Sequence, residues 1–326
     1  MSSLPLSNPE TERLRQRRRE ILADVRESLS HSPRELSPKY FYDERGSELF
    51  EEITRLPEYY PTRAEREILR AHATEIVELV RARTLVELGA GSAAKTRILL
   101  DAMTRDGQDV TYVPVDVSED FLNMTARSLE SEYDRLRVVP VVADMTASLD
   151  VPSSIKGPVL FAFLGSTIGN FTEQDAVALL RRVRSQMKPG DRLLLGTDLH
   201  KDSSILNPAY NDSRGVTAEF NRNMLRALNA ELGADFKPDR FAHRAFYNEN
   251  ERRIEMHLDA IGDQTVHIPG MPTLVLRDGE SIRTELSHKY DRKSVSTMLG
   301  AALLRVEQWF TDDAGRFALS IAEPIA

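Results

Sequence analysis

The 326-residue chain has no cysteine, which excludes disulfides, iron–sulfur clusters and zinc held by thiolates, and fits a reducing compartment. No apolar run is long enough to cross a bilayer, and the first residues form no apolar signal segment. The expected location is therefore the cytoplasm, with no membrane partner. A basic excess is missing too. The 43 Lys and Arg are outnumbered by 51 Asp and Glu, a formal net charge of −8, which argues against a general nucleic-acid binder. The seven histidines are scattered without an HExxH or paired ligand spacing, so no metal is expected. Internal repeats and low-complexity segments are also absent.

What is present has a clear order. After a polar tail, Leu14, Ile21, Val25 and Leu29 recur at helical spacing until Ser32-Pro33 stops them. The cluster RQRRRE on that helix reads as a solvated face. A tyrosine-rich stretch follows, in which Tyr42, Tyr59 and Tyr60 bring hydroxyls that need partners. Strand signals then appear at 84–89, 109–117, 136–145, 158–165 and 191–199, alternating with helical segments. This is the pattern of an α/β fold with a parallel, doubly wound sheet. The tail predicts a helix and two strands joined by DDAG, a connection so tight that it forces an antiparallel hairpin. Five parallel strands with such a hairpin match the class I sheet of S-adenosylmethionine (SAM) methyltransferases. The intervening 200–288 begins helically and then alternates, as a small α+β substrate domain would. The expected division is 1–62 as the N-terminal part of that substrate domain, 63–199 as a Rossmann-like core, 200–288 as the rest of the substrate domain, and 289–326 as the C-terminal part of the core.

The loop GAGSAAKT at 89–96 lies one residue from a phosphate loop and equally near a dinucleotide fingerprint. Ala94 stands where a phosphate loop needs glycine, so that backbone N–H groups can close around a phosphate. Glu87 reads as an acid beside the crevice, which repels a polyphosphate and tolerates the cationic sulfonium of SAM. Asp116 ends the second strand, where an acid accepts bonds from ribose hydroxyls. An acid is found there in NAD enzymes as well, so Asp116 alone does not discriminate. Asp144-Met145 ends the third strand and fits either an adenine contact or a turn cap. Asn170 lies in GSTIGN at the end of the fourth strand, where open α/β sheets place reactive groups.

The stretches FYDERGSELFEEITRLPEYYPTRAE, VELGAGSAAKTRILLDAM, FLGSTIGNFT, LLLGTDLHKD, AYNDSRGVTAEFNRN and ERRIEMHL together strongly resemble the L-histidine Nα-methyltransferases of ergothioneine biosynthesis, from about residue 33 to the C-terminus. The resemblance implies a class I methyltransferase domain with a second domain built from the N-terminal segment and the insertion. It implies conversion of histidine to trimethylhistidine (hercynine) in three SAM-dependent steps, with the mono- and dimethyl forms as intermediates and a monomeric enzyme. By this resemblance Gly89, Lys95, Asp116, Asp144 and Met145 match SAM-binding positions; Met145 departs from an aromatic that is common there. Tyr59, Asn170 and Tyr210 match histidine-binding positions, the last two on its carboxylate. Met256 matches a residue lining the side-chain pocket, and Glu285 with Ser287 matches the pair that holds the imidazole. Tyr42 matches a tyrosine close to the amino group, so Tyr42 and Asn170 are the candidate catalytic residues. Glu285 and Ser287 are two apart and share a face in a strand, and such a carboxylate and hydroxyl can address an imidazole N–H. Without the resemblance the pair also fits a solvent-facing edge strand. Two other readings are the same chemistry on another amino acid or an indole-type amine, and a SAM-binding regulatory or scaffold protein without turnover.

Overall fold

The computed structural model describes residues 9–117, 119–145, 149–152 and 155–325. The chain divides into two compact units. One comprises Met1–Tyr59, Ser203–Glu249 and Ile254–Leu286; the other comprises Tyr60–Asp202, Asn250–Arg253 and Ser287–Ala326.

The first unit opens with helix α1 (Pro9–Ser30), the short strand β1 (Arg34–Glu35) and helix α2 (Glu44–Ile53). The second supplies α3 (Pro61–Val80), β2 (Thr84–Leu88), α4 (Thr96–Thr104), β3 (Val110–Asp116), α5 (Glu119–Glu132), β4 (Leu136–Val138), β5 (Val141–Val142), β6 (Val159–Phe163), α6 (Glu173–Gln186) and β7 (Arg192–Asp198). The chain returns to the first unit for α7 (Ser203–Tyr210), α8 (Val216–Leu232), β8 (Phe241–Asn248), all but the first residue of β9 (Arg253–Ala260), β10 (Gln264–Val266), β11 (Leu274–Leu276) and most of β12 (Ser281–His288). It ends in the second with α9 (Arg292–Ala301), β13 (Leu304–Thr311) and β14 (Phe317–Pro324).

In the second unit the strand order is β13-β14-β7-β6-β2-β3-β4, with β5 also on β3. Pairings from β4 to β7 are parallel, while β14 runs antiparallel to both β7 and β13. Helices cover both faces, so β2 and β6 are buried along their whole length and mostly apolar, with Thr84 and Glu87 the polar members of β2. Alternation still sorts them by face: Leu85 joins the apolar cluster under α3 and α4, whereas Val86 and Leu88 join the one under α6 and α9. The segment 136–145, expected as one strand, is two short pieces, β4 and β5. The odd-numbered residues of this segment face β3, Val139 donating to Tyr112 and Ala143 to Asp116, so the missing ladder bond is the one that Pro114 of β3, which has no N–H, cannot give to the Val139 carbonyl.

In the first unit the sheet order is β1-β12-β9-β8, with β10 and β11 forming a separate antiparallel pair. Helix α1 forms as its periodicity predicts, and Val25 and Leu29 are buried; Leu14, however, is 61% exposed and belongs to no core. The basic cluster is a solvated face: Arg15 and Arg19 pair with Glu12, and Arg17 with Glu231, all at the surface. In FYDERG, the Asp43 carboxylate caps α2 by accepting from the Gly46 N–H at 2.6 Å and from the Asn223 amide at 2.7 Å. A Cβ on Gly46 would lie 1.6 Å from the Phe41 carbonyl oxygen, so only glycine fits that turn.

Candidate active site

The proposed cofactor residues all lie in the second unit, at the carboxyl ends of β2, β3 and β5. The turn from β2 to α4 takes left-handed backbone at Gly89 and Gly91, and also at Ala93. Its Gly89 N–H is anchored on the Val115 carbonyl at 2.8 Å, and the Gly91 N–H on Asp116 Oδ2 at 3.2 Å. Asp116 thus stands beside the turn it braces. Gly89 also meets the third strand's end, since a Cβ there would lie 3.4 Å from Met145 Cε. Asp144 sits half-buried immediately before that methionine. Lys95 closes the turn in an ion pair with Glu65, whose fully buried carboxylate also accepts from the Gly165 N–H at 2.8 and 3.0 Å. Glu65 therefore ties the β2 turn to the β6 turn, a role the sequence reading did not assign.

Glu87, expected as an acid beside the crevice, is instead sealed inside the sheet. It does not present charge to a ligand: its side chain is buried, both carboxylate oxygens accept from Thr96 Oγ1 at 2.7 and 2.6 Å, and the Tyr112 hydroxyl donates to it as well. Burial pushes its carboxyl up to about 7, against the downward pull of the two hydroxyls and of Lys95. Residue 87 faces the α3–α4 side because it shares the face of Leu85, a consequence of strand alternation.

At the end of β6 the chain turns sharply, with Gly165 and Ser166 both left-handed, and a short 3-10 turn (Thr167–Asn170) delivers Asn170. Gly169 permits a close backbone approach to β12, since a Cβ there would lie 3.0 Å from the His288 oxygen and 3.1 Å from its nitrogen. This brings the turn carrying Asn170 against the strand end carrying Ser287. Ser287 is buried, and its Oγ accepts from Lys289 Nζ at 2.8 Å.

Lys289 leads to a cluster that the sequence reading missed although LLLGTDLHKD was in view. Asp198, at the end of β7, is 1% exposed. It pairs with Lys201 at 2.6 Å and Lys289 at 2.9 Å, and the Tyr60 hydroxyl donates to both its oxygens at 2.8 Å. Burial opposes its ionisation most strongly, but Lys289 and Lys201 together outweigh burial and hold its carboxyl below the usual range. Burial lowers Lys201 to about 8 despite Asp198.

The other proposed substrate residues lie in the first unit. Tyr59 and Tyr210 stand edge to face, with ring centroids 6.3 Å apart. Tyr42, 42% exposed, makes T-shaped ring contacts with Phe50 and Phe220. The Tyr210 carbonyl bonds the His243 ring at 2.9 Å, and His243 in turn meets the Asn221 amide at 2.9 Å, so both ring nitrogens are held by the protein. Met256 is buried in β9, and Glu285 lies half-buried on the adjacent β12. The Thr284 hydroxyl donates to the Met256 carbonyl at 3.2 Å and keeps the two strands in step.

A sheet whose last strand is threaded between the fifth parallel strand and its own hairpin partner is the architecture of the class I SAM-dependent methyltransferases, and this chain has it throughout. Over residues 21–324 the sequence matches the family described as histidine-specific methyltransferase, SAM-dependent, and the chain belongs to that family. It is 48% identical over 301 residues to the histidine N-alpha-methyltransferase of Mycobacterium tuberculosis (strain CDC 1551 / Oshkosh), covering 92% of this chain and 93% of that one. It is 46% identical over 301 residues to the protein of the same name from Mycolicibacterium smegmatis, with the same coverage. To ergothioneine biosynthesis protein 1 of Neurospora crassa it is 32% identical over 289 residues, which is 85% of this chain and 32% of that protein.

Proposed function

We propose that this methyltransferase carries out Nα-trimethylation of L-histidine to hercynine, the first step of ergothioneine formation. The observation that carries the reading is the 48% identity to a histidine N-alpha-methyltransferase over 92% of the chain, which spans residues of both units. In this proposal residues 1–62 and 200–288 serve the substrate, and 63–199 with 289–326 serve the cofactor. Gly89, Lys95, Asp116, Asp144 and Met145 bind SAM. Tyr59, Asn170 and Tyr210 bind histidine, Met256 lines its side-chain pocket, and Glu285 with Ser287 receives the imidazole. Tyr42, close to the amino group, and Asn170, on the carboxylate, are proposed as the catalytic residues. The enzyme is taken to be a metal-independent cytoplasmic monomer with histidine and its mono- and dimethyl forms as partners.

The chemistry asks little of an acid or base. SAM supplies a methyl carbon already activated by its sulfonium, so the protein's task is to align that carbon with a deprotonated amine. The amine lone pair forms the new C–N bond as the C–S bond breaks, and the surplus proton leaves to water or a tyrosine hydroxyl. A trimethylated nitrogen has no lone pair, which ends the sequence at three. Mass spectrometry of histidine incubated with SAM and the protein tests this: one, two and three methyl increments are expected. Equal turnover of histidine, phenylalanine, leucine and tryptophan would overturn the histidine assignment.

A further inference from the structure

We propose that Lys289 is a positioning residue for substrate recognition: its buried ammonium, anchored on Asp198, sets the Ser287 hydroxyl that meets the imidazole. The inference rests on the reading of Ser287 as a substrate residue. Balancing the Asp198 carboxylate requires one cation, and Lys201 already stands 2.6 Å from it. A second ammonium, with its side chain fully buried, sits at 2.9 Å on the other oxygen. Its hydrogen bond to Ser287 Oγ at 2.8 Å is what Lys289 adds that Lys201 does not.

The geometry gives that bond a direction. An ammonium has hydrogens and no lone pair, so Ser287 Oγ is the acceptor and its own proton points elsewhere. A hydroxyl that accepts from a cation is polarised into a stronger donor. The fitting partner is an imidazole nitrogen bearing a lone pair, with Glu285 accepting from the ring's N–H. The backbone of Lys289 is held independently, its N–H donating to the Arg252 carbonyl at 2.8 Å, so the side chain can be replaced while the strand end stays in place. Removing this lysine leaves Asp198 and Lys201 as a balanced pair, which favours a folded variant.

The test is a double-mutant cycle of Ser287→Ala and Lys289→Met, reading the histidine KM, kcat and calorimetric SAM affinity. Each single variant is expected to raise KM about tenfold, the weight of one charge-assisted hydrogen bond, with kcat and SAM affinity changed less than about twofold. The double variant should be no worse than Ser287→Ala alone, because both substitutions remove the same bond. Multiplying effects, or a Lys289→Met KM within a factor of about two of wild type, would overturn the role of Lys289. An unchanged KM in Ser287→Ala overturns the underlying reading of Ser287, a result distinguishable from the other two. Should Lys289→Met not fold, Lys289→Gln enters the same cycle with the same criteria.

Discussion

Glu87 and Asp198 are carboxylates buried in the same sheet, 3% and 1% exposed, yet their protonation is biased in opposite directions. Glu87 in β2 has hydroxyl partners, Thr96 and Tyr112, with burial dominant, and its carboxyl rises to about 7. Asp198 at the end of β7 has two ammoniums, and its carboxyl falls. Depth is the same in both places; the charge of the partners differs. Hydroxyls satisfy a carboxylate's hydrogen bonds without repaying the loss of water around its charge, whereas cations do both. Glu87 is therefore a structural lock between β2 and α4, and Asp198 an organiser of charge at the strand ends.

The sharpest way to break this contrast is Asp198→Asn, which leaves Lys201 and Lys289 buried without their carboxylate. A stability loss of roughly 3–5 kcal/mol is expected in urea unfolding; a loss under about 1 kcal/mol would mean that the cluster does not depend on Asp198.

Glu87 should behave in the opposite sense. Between 4.5 and about 7 its folded form holds more protons than the unfolded chain, so its contribution to stability is full below pH 4.5 and is lost as pH rises through 7. A change in pKa of this size corresponds to on the order of 3 kcal/mol. Glu87→Gln keeps a side chain that can accept from one hydroxyl and donate to the other, and removes that slope. Unfolding curves at intervals from pH 4.5 to 8 should show wild type losing stability relative to the variant; parallel profiles would refute the assignment.

Asp116 sharpens the comparison from a third position in the sheet. It is only half-buried and is proposed to meet a ligand. Asp116→Ala should weaken SAM binding by ~1.5–3 kcal/mol in calorimetry, with a stability change below about 1 kcal/mol. Unchanged SAM affinity in a folded variant removes it from the site.

The smallest effect is expected at Glu285, also half-buried but in the first unit. Glu285→Ala should raise the histidine KM by about tenfold, leave SAM binding intact, and narrow the gap between histidine and apolar amino acids, which no longer strand a carboxylate. A KM within a factor of about two of wild type would show that Glu285 is not the imidazole partner.

Local regularities in the chain were enough for the strand–helix alternation, the terminal hairpin at DDAG, helix α1 and the solvated basic cluster. The periods of 2 and 3.6 are set by backbone geometry within a few residues, and tight turns announce themselves by composition. The same regularities placed Glu87 in β2 but not its charge state, because which face of a strand is packed depends on the helices that the fold lays over it, here α3 and α4. They missed the break between β4 and β5, which comes from Pro114 on the neighbouring strand, and the helical spacing that includes Leu14 did not tell that this residue is exposed while Val25 and Leu29 are buried.

The proposed ligand residues come from motif resemblance, which carries position but not environment. Partners brought from far along the chain were out of reach: Tyr60 and Asp198 are 138 residues apart, and Glu65 meets Gly165 across 100. By itself, then, the sequence determined the elements, their order and the family to which they belong, since these depend on short-range stereochemistry and on strings of residues read in line. Only the tertiary structure decided which acids are paired with cations, which are sealed behind hydroxyls, and that Lys289 stands against Ser287. Those outcomes depend on desolvation and Coulomb interaction, both set by what surrounds a side chain in space.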